Sequence, residues 1–238
     1  MKQQNQNEEF LSLILDLIRK YSRNSITLFL LLFTAVLWAQ SPQEDVFRHP
    51  LSQKTMDAFM ASCSLLAENQ FVKGNFVQEK TISSIDRSLK SSGNFIIAAE
   101  LGMVWGTVKP FSSIMVLGKD YIIQLRPGGH KIVMSAQGNE IFIRMAEVIS
   151  AVFSGRSQGL LENFEVYYTG SAASWEIGLS PRDRAIGSFA QRIIMSGDTA
   201  IKTIRIYEQN GDTITYILSS HSYPSELNAS EKNLFTLQ

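Results

Sequence analysis

The side chains that could do chemistry in this chain are few and far apart. The histidines are His49, His130 and His221, and Cys63 is the lone cysteine. No histidine has a cysteine or carboxylate beside it at the spacing of a metal site, so no metal is expected. Glu79 with Asp86, and Asp183 with Asp198, are spaced carboxylates. General acid–base work needs two such groups set in contrasting surroundings, and turn and strand-face positions give them none. There is no Gly-x-Ser-x-Gly elbow and no phosphate-cradling loop. Asn228-Ala229-Ser230 fits a glycosylation sequon, a match without meaning in a bacterial chain. These residues point away from an enzyme and call for no cofactor.

The chain has 238 residues, with 22 Lys plus Arg balanced by 22 Asp plus Glu. A near-neutral protein lacks the basic footprint of a nucleic-acid binder, so no nucleic acid is expected as a partner. The opening segment is distinctive. Lys20 and Arg23 precede the apolar run 26–38, which ends at Ala39-Gln40. A basic flank, a short apolar core and a small terminal residue describe a secretory signal peptide over residues 1–39. The run is shorter than the roughly 20 apolar residues that cross a bilayer comfortably. An exported chain with one thiol forms no internal disulfide, so an apolar core must hold the fold. The expectation is an exported, soluble monomer, its signal cleaved or else retained as an anchor, with a flexible leader over 40–50 and one domain over 51–238.

The pattern along that domain is mainly β. Leu51–Leu66 carries Met56, Phe59, Met60 and Cys63 at helical spacing, which puts Cys63 on the apolar stripe as a buried hydrophobe. Strands are predicted at 71–79, 90–99, 103–108, 113–117, 121–125 and 131–134. Met145, Val148, Ile149, Val152 and Phe153 make an amphipathic helix within 140–154. Strands resume at 164–169, 174–179, 190–195, 201–208 and 213–220. Asn210-Gly211 reads as a two-residue hairpin turn between the last two. Short connections favour antiparallel neighbours. The tail after Pro224 is polar and without clear structure.

A curved antiparallel sheet with one greasy face makes a hollow, and helices across it make a lid. The fold class is therefore α+β, mainly β, an open or half barrel with helices over an apolar cavity. Alternation groups Phe95, Ile97, Met103, Trp105, Ile114, Val116, Tyr121 and Ile123 as the inner face that would bind an apolar ligand. Met56, Phe59, Met60, Met145, Ile149 and Val152 are the expected lid residues.

The order Phe76-x-Gln78, Ser92-Gly93-x-Phe95, Trp105, Pro110 and Ser113-Ile114-Met115-Val116 resembles the periplasmic lipoprotein carrier family, LolA. The run 175–181, with its closing Pro turn, and the strands around Gly211-Asp212-Thr213 are similar to the same family. The resemblance implies an open barrel with a helical lid. It implies acylated lipoproteins as cargo, taken from an inner-membrane ABC transporter and handed to an outer-membrane acceptor. Each acyl methylene taken from water is worth about 0.8 kcal/mol, so such cargo must stay covered in transit. One departure is clear. The family's well-known members carry an Arg followed by Pro six residues before the Trp, where it latches the lid. Here those positions are Ala99 and Glu100. The resemblance implies a periplasmic location. The alternative readings are a periplasmic sensor of the RseB type, which binds lipid or lipoprotein and regulates a membrane partner, or a carrier of another acylated lipid.

Overall fold

The computed structural model describes residues 46–118, 121–126, 128, 131–135, 151 and 156–236. Its centre is the hairpin of β1 (Phe71–Ile82) and β2 (Arg87–Ala98). Here twelve residues pair with twelve in unbroken register, from Phe71 opposite Ala98 to Ile82 opposite Arg87. The meander continues through β3 (Gly102–Lys109), β4 (Ser113–Leu117), β5 (Tyr121–Leu125) and β6 (Lys131–Ser135). A second meander runs through β7 (Phe164–Ser171), β8 (Ser174–Pro181), β9 (Arg192–Gly197), β10 (Ile201–Tyr207) and β11 (Thr213–Ser222). Antiparallel pairing of β11 with β1 fuses the two into one sheet of eleven strands, ordered β6-β5-β4-β3-β2-β1-β11-β10-β9-β8-β7. Strands β6 and β7 end that order without pairing to each other, so the sheet is open.

Helix α1 (Gln53–Ala67) lies on the inner face. Its capping box joins Ser52 and Thr55, which satisfies amides that the first turn leaves free. The buried stripe is Phe59, Ser62, Cys63 and Leu66. The expected stripe is thus rotated: Met60 is 41% exposed, Met56 only flanks the core, and Ser62 takes a buried place. Helix α2 (Ser157–Asn163) follows, with Leu160 and the helical Ala151 in the same core. Met145, Ile149 and Val152 lie outside the described residues. No described helix is long and apolar enough to cross a membrane.

Three local expectations are corrected. Residues 46–50 are not a loose leader. They form a short 3-10 turn with Val46 fully buried, and Pro50 bridges Tyr167 on β7. Gly178 admits this turn, because a Cβ there would meet Val46 at 2.9 Å and Phe47 at 3.1 Å. The Asn210-Gly211 pair sits in a five-residue connection, since Tyr207 pairs with Thr213. Asp212 widens the turn by accepting from the Ser83 amide at 3.1 Å and from Asn210 at 3.1 Å, with Lys80 at 3.4 Å. Burial alone would raise the Asp212 pKa, but these donors outweigh it and hold the carboxyl below its usual range. Finally, the tail is ordered. A short helix α3 (Arg184–Gly187) precedes β9, and α4 (Ala229–Leu234) closes the chain. The sequon Asn228 is the N-cap of α4, accepting from the Glu231 amide at 2.9 Å and from Ser230 at 2.6 Å.

Candidate functional site: the inner face beneath α1

Register decides which side chains share a face. Directly paired residues project to the same side of a sheet. One row of pairs therefore runs Val72, Ile97, Met103, Leu117, Ile122, Met134 across six strands. The next runs Gly74, Phe95, Trp105, Met115, Gln124, Ile132. These two rows form the inner face of the first meander. Phe76, Leu218, Ile204, Met195, Ile177 and Tyr168 continue it across the second.

Of the eight residues expected inside, Phe95, Ile97, Met103 and Trp105 are brought together on this face. Ile114, Val116, Tyr121 and Ile123 are not. They lie on the opposite side, in a second cluster with Ile96 and Val104. Leu227, Leu234 and Phe235 from the tail cover them there. The Tyr121 hydroxyl donates to the Phe235 carbonyl, and Lys73 pairs with Glu231 at 2.5 Å, so α4 is tied down at both ends. The correction has a physical cause. In β4 and β5 both faces carry apolar side chains, so alternation gives no contrast between inside and outside.

Trp105 anchors the inner face. Its ring stacks on Phe76 at 4.1 Å and on Phe95 at 5.9 Å, and Tyr216 meets it edge-on at 5.3 Å. Phe76 stands on β1 and Trp105 on β3, with Gly93 of β2 opposite Phe76. A side chain at Gly93 would stand between the strands that the stack bridges. Gly74 serves the Phe95 ring likewise, for a Cβ there would meet that ring at 2.6 Å. Sequence reasoning missed Phe76, Met115, Leu117, Ile122, Tyr216 and Leu218 as inner-face members. Extending the pairing from Phe95 and Trp105 by two strands on each side would have found them.

Helix α1 closes this face through Phe59, Cys63 and Leu66, with Phe59 edge-on to Tyr168 at 6.0 Å. Its buried polar tie is to Tyr168, whose hydroxyl shares a hydrogen bond with Ser62 at 2.9 Å and reaches the Ala58 carbonyl at 3.2 Å. Such a bond is worth about 1 kcal/mol net. Ala99 plays no part in this closure; it lies exposed in the turn after β2, its amide donating to the Gln70 carbonyl. Between the end of α1 and the strands is a cavity of about 20 Å³, lined by Leu66, Val72, Phe95, Ile97, Leu218 and His221 among others. That is room for about one water molecule. Burial, with Lys202 nearby, holds His221 below the usual imidazole range, so it is neutral at pH 7.

Farther along the rows the cover thins. Met103 and Leu117 form a cluster with Ile97, Trp105 and Ile122 that includes no helix residue among those described. Beyond them Met115, Ile132 and Met134 are 36, 40 and 44% exposed. The inner face is thus dry under α1 and opens to an apolar, methionine-bearing slope at β4–β6. Methionine suits a surface that repacks around different apolar partners.

The chemical candidates are spent elsewhere. Cys63 is buried and its thiol is pushed up to about 12. Glu79 faces Lys90 at 3.6 Å and Asp198 faces Lys202 at 3.4 Å. His130 lies outside the described residues. Among the described residues no group of His, Cys, Asp or Glu could hold a metal ion, and no buried side-chain polar atom lacks a hydrogen bond.

Among solved structures the chain is similar to a LolA superfamily protein of Nitrosomonas europaea, at 8% identity and a TM-score of 0.45, over 76% of this chain and 97% of that one. It is similar to the lipoprotein LppX of Mycobacterium tuberculosis, at 11% identity and 0.43, over 74% and 100%. It is also similar to a chain of the Pseudomonas aeruginosa MucA/MucB complex, at 11% and 0.33, over 75% and 60%. No curated protein matches it. The family described as outer membrane lipoprotein carrier protein LolA matches residues 68–237. With most of the chain inside that match, the protein belongs to the LolA family.

Proposed function

We propose that the chain is a periplasmic carrier that shields the acyl chains of lipoproteins between an inner-membrane ABC transporter and an outer-membrane acceptor. The observation that carries this reading is the inner face: rows apolar but for Gln124, covered beneath α1 and emerging at Met115, Ile132 and Met134. A cavity of about 20 Å³ is far too small for an acyl chain. Pockets for drug-sized ligands run to roughly 300–1,000 Å³. Loading therefore requires α1 to move away from the sheet. Its attachment suits that demand: apolar contact plus the hydrogen bonds of the Tyr168 hydroxyl to Ser62 and to the Ala58 carbonyl, with no ion pair to break among the described residues. An acyl chain entering from the methionine slope would replace the contacts of Phe59 and Leu66 with its own methylenes. The helix is thereby a lid whose release needs no chemistry in the carrier itself.

The test is the native ligand. Chain purified without detergent from its own periplasm is expected to yield acylated lipoprotein or phospholipid by mass spectrometry. Repeated recovery of chain without any acylated molecule, together with failure to load a triacylated lipopeptide, would overturn the proposal. Recovery of an anti-sigma factor rather than a transporter in pull-downs would shift the reading to a lipid-responsive regulator.

A further inference from the structure

Strands β1, β3, β5, β8 and β10 all run toward the same end of the sheet, so the turns that follow them gather there. The turn after β3, Lys109-Pro110-Phe111-Ser112, carries Phe111 at 81% exposure, the highest among the large apolar residues described. Val108, one strand residue earlier, is exposed as well, and so are Ile85 and Leu89 on the neighbouring β1–β2 hairpin. Apolar groups of this size that gather at one end of a protein mark an interaction surface. Here they stand on separate protruding turns rather than in a groove.

Cations surround them. Lys109 is next to Phe111 but one, Arg87 and Lys90 flank Leu89, and Arg126 and Lys131 border the β5–β6 turn. Among the described residues Lys109 and Arg87 have no ion-pair partner. The carboxylates at this end are Glu79, Asp86, Asp183, Glu208 and Asp212; Glu79 faces Lys90, and Glu208 and Asp212 face Lys80, so these three are already matched by cations. The local balance is positive in a chain that is neutral as a whole. A protein partner would meet a flat or recessed surface of about 800 Å². Protruding apolar tips amid cations instead match a deformable anionic layer, in which rings sink below the headgroups and cations meet phosphates.

We propose that this end of the sheet docks on anionic phospholipid bilayers, with Phe111 inserted and Lys109, Arg87 and Arg126 against the lipid phosphates. The proposal is independent of what the inner face binds. A chain that holds no acyl ligand could still dock, and a carrier that loads ligand could fail to.

The test uses the full chain carrying Phe111→Cys, labelled with an environment-sensitive dye. Cys63 is buried, so the label goes to position 111. A second protein carries the label through Glu68→Cys, beyond the end of α1 at the opposite end of the sheet. Vesicles of phosphatidylcholine, with and without phosphatidylglycerol, are the probe. The expected result is a blue-shifted, brighter signal at position 111 with phosphatidylglycerol only. Lipid-borne quenchers should reach that label, and Lys109→Glu should weaken binding about tenfold or more. The label at position 68 should not respond. An unchanged signal at 111, an equal response at 68, or equal binding to neutral vesicles would each overturn the proposal.

Discussion

Trp105→Asp is expected to lower acyl-chain affinity more than tenfold and to destabilise the fold by about 3 kcal/mol. The ring that is lost holds Phe76, Phe95 and Tyr216 together, and the carboxylate would sit among them without a partner. Lost stability and lost binding must be separated, and two milder variants do this. Met115→Asp places the same charge one strand away on the same row, at a position already partly wet. It should keep the melting temperature nearly unchanged. Affinity should still fall about tenfold, because withdrawing two methylenes from contact costs about 1.6 kcal/mol and tenfold is 1.4. Val133→Asp places the charge on β6 facing the opposite side, in line with Ile123 and Val116. Its affinity should match the parent. Titration with a fluorescent acyl probe reads all three; equal losses for Met115→Asp and Val133→Asp would refute an assignment by face.

Gly93→Ala is expected to destabilise the domain by about 3 kcal/mol or more, a large effect for one methyl group. The Cβ would lie 1.9 Å from the Gly106 carbonyl oxygen and 2.9 Å from the Thr107 Cα. Both obstacles are backbone, so no rotamer relieves them, and β3 must move. The irregularity between Ser92 and Gly93 in the β2–β3 register marks the place where the strands approach so closely. Because β3 carries Trp105, the damage should reach the aromatic stack. Thermal melts give the stability, and loss of the near-ultraviolet signal of Trp105 would report the stack. A melting temperature within a degree or two of the parent would show that the β2–β3 approach is not needed.

The strand pattern was legible in the sequence because Gly, Pro, Asp and Ser separate short runs of β-branched and aromatic residues. All eleven strands lie where the runs predict them, with ends differing by a few residues. What could not be read was which side of β4 and β5 faces in. In Ser113-Ile114-Met115-Val116-Leu117 every position after the serine is apolar, so period two carries no sign there. The outer face is apolar because Leu227, Leu234 and Phe235 cover it, and these three stand in a tail that is otherwise polar. The capping box of Asn228 and Glu231 was a usable signal for that helix. Ser62 was missed for a similar reason. A serine is not counted as apolar, yet the Tyr168 hydroxyl makes it a satisfied buried residue. The latch position of the family's familiar members holds Ala99 here, which has no side chain to make the latch, and the helix is tied instead at the far side of the sheet, on β7.

The central claim is that acyl chains enter beneath α1 on the face of Phe95, Ile97, Met103 and Trp105. A lipopeptide bearing a photoreactive group within its acyl chain, irradiated in complex with the chain and mapped by peptide mass spectrometry, tests it directly. Adducts are expected on Met103, Trp105, Met115 or Leu117. Adducts confined to Val104, Val116, Ile123 or the tail around Leu227 would contradict it, for the acyl chain would then occupy the other side of the sheet.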